Sequence, residues 1–125
     1  INGGIVSFDA IHSHLRQVDG VMIGREAYHR PEMLLEVDPA LYGEAAPVPD
    51  AFAALELFHP YIEARLSEGV GLHAMTRHIL GLFQGRPGAR AFRRHLATEG
   101  VKRGAGLSVL REAVSFVERV NAEAA

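Results

Sequence analysis

Two glycine-bearing turns and a set of arginines carry the chemistry that this sequence offers. Asn2-Gly3-Gly4 is a turn signal placed just before Ser7, a residue suited to cap a helix, and Gly24-Arg25 follows the apolar run Val21-Met22-Ile23 about twenty residues later. Turns of this kind leave backbone N–H groups unpaired, glycine lets an anion come close to the backbone, and an arginine fork can grip a phosphate through two bonds. In an α/β barrel the loops after the last two strands commonly do this work. Taken singly, Asn-Gly-Gly is an ordinary turn and Gly-Arg an ordinary surface pair. Occurring together, each at the C-terminal end of a strand, Asn2, Gly3, Gly4, Gly24 and Arg25 read as a phosphate site.

The arginines suggest a larger anion. Residues 1–70 hold four Lys/Arg against eleven Asp/Glu, and residues 71–125 hold nine against four, so a net charge of −2 conceals an acidic front and a basic rear. Between 77 and 103 seven cations face the single acid Glu99. On a helix opening near Pro87, with Phe92 as origin and about 100° per residue, Arg93, Arg86, Arg90 and Arg94 fall between about 100° and 200°. Ala89, Phe92 and Leu96 fall within about 60° of the origin, so such a helix buries an apolar stripe and offers arginine outward. A solvated face is the plain alternative. The stripe contains no acid of its own, and Arg77 can join it from the neighbouring helix, which favours a phosphate-backbone contact, with RNA suited to arginine's ability to stack as well as to pair.

Other chemistries find no support. The chain has no cysteine, which excludes disulfides, thiolate metal sites and cysteine catalysis by these residues. Its seven histidines lack metal-ligand spacing: His73 and His78, five apart, point in different directions on a helix, and all seven read as surface or core-edge residues. No metal is expected. Tyr28, Tyr42 and Tyr61 read as packing residues. No apolar run approaches the ~20 residues of a membrane span, and the opening Ile-Asn-Gly-Gly lacks signal-peptide character, so the expectation is a cytoplasmic protein with no membrane partner.

The elements that must position these residues follow from periodicity. Ser7 starts a helix through Phe8, Ile11 and Leu15, Asp19-Gly20 ends it, and Val21–Ile23 reads as a strand buried on both faces. Loop, helix and strand in this order are the back half of a βαβ unit. One buried strand does not make a sheet and an α/β barrel takes ~250 residues, so the chain is expected to be the tail of a larger enzyme. Pro31 opens a short helix, and residues 38–49, with Pro39, Gly43, Pro47 and Pro49, form a turn-rich linker. Asp50 caps a long helix carrying Phe52, Leu55, Phe58, Ile62 and Leu66, which Pro60 should kink or split. A further helix should run from Leu72 to Phe83, another from Pro87 to Gly100, and a last one over about 107–122, burying Leu110, Val114, Val117 and Val120. The expected fold is mostly α: residues 1–37 as the remnant of a (β/α)8 TIM barrel, 38–49 as linker, and 50–125 as an antiparallel four-helix bundle.

Three runs resemble a known family: Ile1-Asn2-Gly3-Gly4-Ile5, the stretch from Asp19 to Tyr28, and above all the stretch from Thr76 to Arg90. They are similar to the C-terminal part of the tRNA-dihydrouridine synthases, subfamily A. The resemblance implies a flavin-bearing barrel followed by a small helical domain, an enzyme that reduces the 5,6 double bond of D-loop uridines in tRNA with FMN and NADPH. It assigns Asn2, Gly3 and Gly4 to a first FMN-phosphate loop, Gly24 and Arg25 to a second, and Arg90 and Arg93 to tRNA contact. Arg77, Arg86 and Arg94 join that contact on the physical argument above. The family's catalytic acid is a cysteine upstream of these motifs. No catalytic residue is therefore assigned here, and the chain alone should be inactive. The competing reading is a non-catalytic helical RNA-binding or docking module.

Overall fold

Ser7 does what its position demands: its backbone is extended and its hydroxyl accepts from the Ala10 N–H at 3.2 Å, capping α1 (Phe8–Leu15). In the computed structural model, which describes the backbone of residues 1–124 and the side chains of residues 1–118, α1 buries Ile11 and then returns the chain so that Met22 forms a parallel bridge with Asn2. Two parallel segments joined through a helix have βαβ connectivity. The expected strand is reduced to this one bridge. Val21 and Ile23 are only half-buried and Met22 is 53% exposed, not covered on both faces. Among the described residues no second neighbour extends the ladder, and a lone pairing does not propagate.

A five-residue helix that periodicity does not reveal, α2 (Arg25–His29), follows at once, and Pro31 then opens a 3-10 helix over Pro31–Glu36 that buries Met33. Within the proline-bearing stretch from 38 to 49, a single wide turn covers Asp38–Tyr42 and ends on Gly43 at φ +64°. The Asp50 carboxylate accepts from the Ala53 N–H at 2.8 Å and starts α3 (Ala51–Ser67). Pro60 neither ends nor divides this helix. It removes one backbone donor on an exposed face, while Leu55 and Ile62 are locked into the core on either side of it.

The helix expected from Leu72 to Phe83 is much shorter than the apolar spacing predicts. α4 (Leu72–Thr76) ends where the buried Thr76 hydroxyl donates back to the Leu72 carbonyl at 3.2 Å. Beyond it, three-residue turns (Ile79 N–H to Thr76, Leu82 to Ile79, Gln84 to Gly81, Arg86 to Phe83) still direct Leu82 and Phe83 inward. Gly81 explains the preference. A Cβ there would lie 2.3 Å from the His29 carbonyl oxygen, so this segment is pressed backbone to backbone against the end of α2.

Two helices complete the molecule, α5 (Ala89–Thr98) and α6 (Leu107–Ala124). Ala89, Phe92 and Leu96 of α5 are buried as the wheel requires, and so are Leu110, Val114 and Val117 of α6; Val120 lies outside the residues with described side chains. The α5–α6 contact is tight at Gly88, where φ is +91° and a Cβ would stand 2.8 Å from the Phe116 carbonyl oxygen. Phe83 sits at the centre, with ring centroids 4.9 Å from both Phe52 and Phe92. The fold is thus mostly α, with α3 to α6 around one core.

Candidate functional site

Asn2, Gly3, Gly4, Gly24 and Arg25 all line one concavity of about 550 Å³, together with Ile5, Val6, Met22, Glu26 and His29. The parallel bridge is what unites them: pairing Asn2 with Met22 sets the two turns side by side at one end of the paired segments. Gly3 and Gly4 have φ of +120° and +63°, with nothing within 4 Å of an added Cβ. Glycine is needed there for its backbone conformation, and crowding is not the constraint. Arg25 is exposed, and among the described residues its guanidinium makes no hydrogen bond or ion pair. The one carboxylate on this wall, Glu26, is engaged 3.3 Å away by Arg30, so it does not compete for Arg25. The arrangement suits a compact anion: a free guanidinium faces two glycine turns across a pocket with its acid already compensated.

The five arginines separate into three settings. Arg90 and Arg94 project from α5 into solvent, with no ion pair or hydrogen bond from either side chain among the described residues. Arg93 is half-buried and donates from Nη1 to Gln84 Oε1 at 3.1 Å, and Arg77 donates from Nε to His78 Nε2 at 3.1 Å. Arg86 is held in a forked ion pair with Glu32, Nη2 to Oε1 at 2.7 Å and Nε to Oε2 at 3.1 Å. A wheel drawn on one helix finds no acid near the arginines; the acid that meets Arg86 comes from 54 residues upstream. Lys102 is likewise occupied by Glu99, whose carboxyl is held below its usual range chiefly by the Lys102 hydrogen bond.

Arg77 and Arg93 converge on a second cleft of about 480 Å³, closed on its other side by Tyr28, His29 and Arg30 and floored by Leu80, Gly81 and Gln84. Sequence reasoning missed Tyr28 and His78 here. Tyr28 is 53% exposed, contrary to a packing role, and its hydroxyl lies 3.2 Å from His78 Nδ1. The two are fifty residues apart, and no local pattern announces the contact. Among the described residues no cluster of three or more His, Asp or Glu is arranged to hold a metal ion, and no helix is long and apolar enough to cross a membrane.

With this geometry in view, a family model described as dihydrouridine synthase (Dus) matches residues 1–119. The chain is 51% identical over 117 residues to a tRNA-dihydrouridine(20/20a) synthase of Yersinia pestis, covering 94% of this chain and 34% of that protein. Proteins of the same description from Vibrio parahaemolyticus and Haemophilus ducreyi are 48% identical over 119 residues and 50% identical over 117. These cover 95% and 94% of this chain and 36% of each relative, so the chain spans about a third of the length of the curated relatives it matches.

Proposed function

The chain belongs to the dihydrouridine synthase family, and on that premise we propose that it supplies the cofactor-phosphate loops and the tRNA grip of a flavin-dependent tRNA-dihydrouridine (20/20a) synthase. In this reading residues 1–37 are the closing part of the flavin barrel, 38–49 a linker and 50–125 the tRNA-binding domain. The observation that carries it is the convergence of Asn2, Gly3, Gly4, Gly24 and Arg25 on one concavity.

That concavity fits the terminal phosphate of FMN. Glycine turns at positive φ leave room for an anion against the backbone, and the unpaired Arg25 supplies the countercharge. When bound, FMN supplies hydride transfer from NADPH to the 5,6 double bond of a D-loop uridine. The chain's own residues bind and orient. Arg25 and the glycine turns fix one end of the cofactor, while Arg77, Arg90, Arg93 and Arg94 hold tRNA phosphates and so fix the target base relative to it. Arg86 enters this surface only by giving up Glu32. The chain has no cysteine, so the proton donor implied by the family resemblance is not among these residues, and the 125 residues are not expected to reduce uridine alone.

Arg90→Glu with Arg93→Glu tests the grip. Filter or gel-shift titration should show markedly weaker tRNA binding at low salt, with the difference from the unaltered chain narrowing as salt rises. Arg25→Ala, introduced into a full-length synthase of this sequence, should lower the flavin retained on purification while leaving tRNA affinity intact. Undiminished tRNA binding in the first variant refutes the arginine surface, and full flavin absorbance in the second removes the phosphate assignment.

A further inference from the structure

The cleft between α2 and the turn after α4 contains a hydrogen-bonded string that neither its sequence nor its family resemblance assigns. Arg77 Nε carries a hydrogen in every state, and it donates to His78 Nε2 at 3.1 Å. Nε2 must therefore be the unprotonated nitrogen of a neutral ring, which puts the ring proton on Nδ1. Nδ1–H then donates to the Tyr28 hydroxyl oxygen at 3.2 Å, and the Tyr28 O–H is left to donate elsewhere. Arg77 keeps its two terminal nitrogens for another acceptor. Across the cleft, Arg93 spends Nη1 on Gln84 Oε1 and keeps its other donors.

Among the described residues no carboxylate lines this cleft. Its charged and titratable wall is Tyr28, His29 and Arg30 from α2, Arg77 after α4 and Arg93 from α5, with Arg30 committed to Glu26. The donors left over are the two guanidinium groups, the phenol hydroxyl, the Gln84 amide and the His29 ring, a set rich in donors and positive charge that calls for an anion.

We propose that this cleft is a phosphodiester-binding subsite for RNA, in which His78 is a positioning residue that orients Arg77 and Tyr28 toward one phosphate. The proposal rests on the tRNA reading given above and adds to it the residues that form one contact. Guanidinium and phenol sit on elements about fifty residues apart, and the imidazole is the piece that ties them. A neutral imidazole adds no charge of its own, so its effect on RNA binding operates through the aim of Arg77.

The test compares His78→Leu, His78→Gln, Tyr28→Phe and Arg77→Ala in the 125-residue chain, titrated with unfractionated tRNA over a range of salt. His78→Leu should lower the salt slope by about 0.7–0.9, the value of one phosphate contact, as Arg77→Ala does. His78→Gln retains an acceptor for Arg77 and should restore most of the slope. Tyr28→Phe should weaken binding about two- to tenfold with the slope unchanged, since it removes a neutral donor. Nitrogen NMR of the imidazole without RNA, above the usual histidine titration range, should find His78 protonated at Nδ1. An Nε2–H ring overturns the string. A parent slope retained by His78→Leu, beside a steep slope in the unaltered chain, overturns the subsite and leaves the tRNA reading standing; an unaltered chain that does not bind tRNA overturns both.

Discussion

Arg86 and Arg90 are indistinguishable by charge and lie on the same side of the helical wheel, yet the structure requires them to behave differently toward a polyanion. Arg86 meets the Glu32 carboxylate through two nitrogens at 2.7 and 3.1 Å, whereas Arg90 and Arg94 stand in solvent without a partner among the described residues. Each cation that neutralises a phosphate contributes about 0.7–0.9 to the slope of log affinity against log salt. With Arg77, Arg90, Arg93 and Arg94 in contact at about 0.8 each, the slope is about 3.2, and a fourfold rise in salt weakens binding about 80-fold. Arg90→Ala with Arg94→Ala leaves two contacts, and the same rise should then weaken binding only about ninefold. Arg86→Ala should leave the slope unchanged. Its cost appears in stability instead, at up to about 1 kcal/mol, because the ion pair is only partly sheltered. Salt-titrated tRNA binding and thermal unfolding of the same three proteins separate the two effects. If Arg86→Ala lowers the slope by about half as much as Arg90→Ala with Arg94→Ala does, the ion pair opens for RNA and the division of the arginines is wrong.

Gly81→Ala should destabilise the chain by about 1–3 kcal/mol, seen as a lower melting temperature. The added Cβ would sit 2.3 Å from the His29 carbonyl oxygen, and a backbone oxygen cannot swing aside as a side chain can; an unchanged melting temperature would refute this account of the α2 contact. His59→Leu should act in the other direction. The imidazole is 7% exposed, among the described residues neither ring nitrogen has a hydrogen-bond partner, and the Glu56 carboxylate 3.4 Å from Nδ1 is mostly solvated. Replacing it with an apolar side chain of similar size should leave stability unchanged or raise it by up to about 1 kcal/mol. A clear loss in thermal or denaturant unfolding would mean that the ring nitrogens hold a structural role.

What the sequence makes legible is what depends on neighbours along the chain. Ser7 and Asp50 announce their caps, and the stripe of Ala89, Phe92 and Leu96 fixes the buried face of α5. The two glycine turns are readable because their spacing matches one helical crossover, and the bridge between Asn2 and Met22 brings them together. Periodicity fails where an element is too short to complete two turns, as in α2, and where two structures satisfy one pattern. Leu72, Met75, Leu82 and Phe83 are all buried as a long helix would bury them, but the chain does so with a short helix followed by three-residue turns. The long-range pairs, Arg86 with Glu32 and Tyr28 with His78, have no local signature at all. They decide which arginines are free, so the composition of the basic surface was legible and its division was not.

The short helix α2 gives the two concavities a common wall. Arg25, Glu26 and His29 face the glycine turns, and Tyr28, His29 and Arg30 face the cleft with Arg77 and Arg93. Even the ion pair between Glu26 and Arg30 joins one side to the other, since each partner lines a different concavity. Among the described residues, the backbone approach at Gly81, the Arg86–Glu32 pair just beyond α2 and the Tyr28–His78 hydrogen bond hold this wall to the helical core. A site that must present one base of a large RNA to a cofactor needs a fixed distance between the grip on the RNA and the grip on the cofactor, because a displacement of an ångström costs orders of magnitude in rate. On the proposed function, Arg86 serves through its pairing: by holding Glu32 it helps to set that distance, while the arginines without a partner among the described residues are the ones offered to RNA.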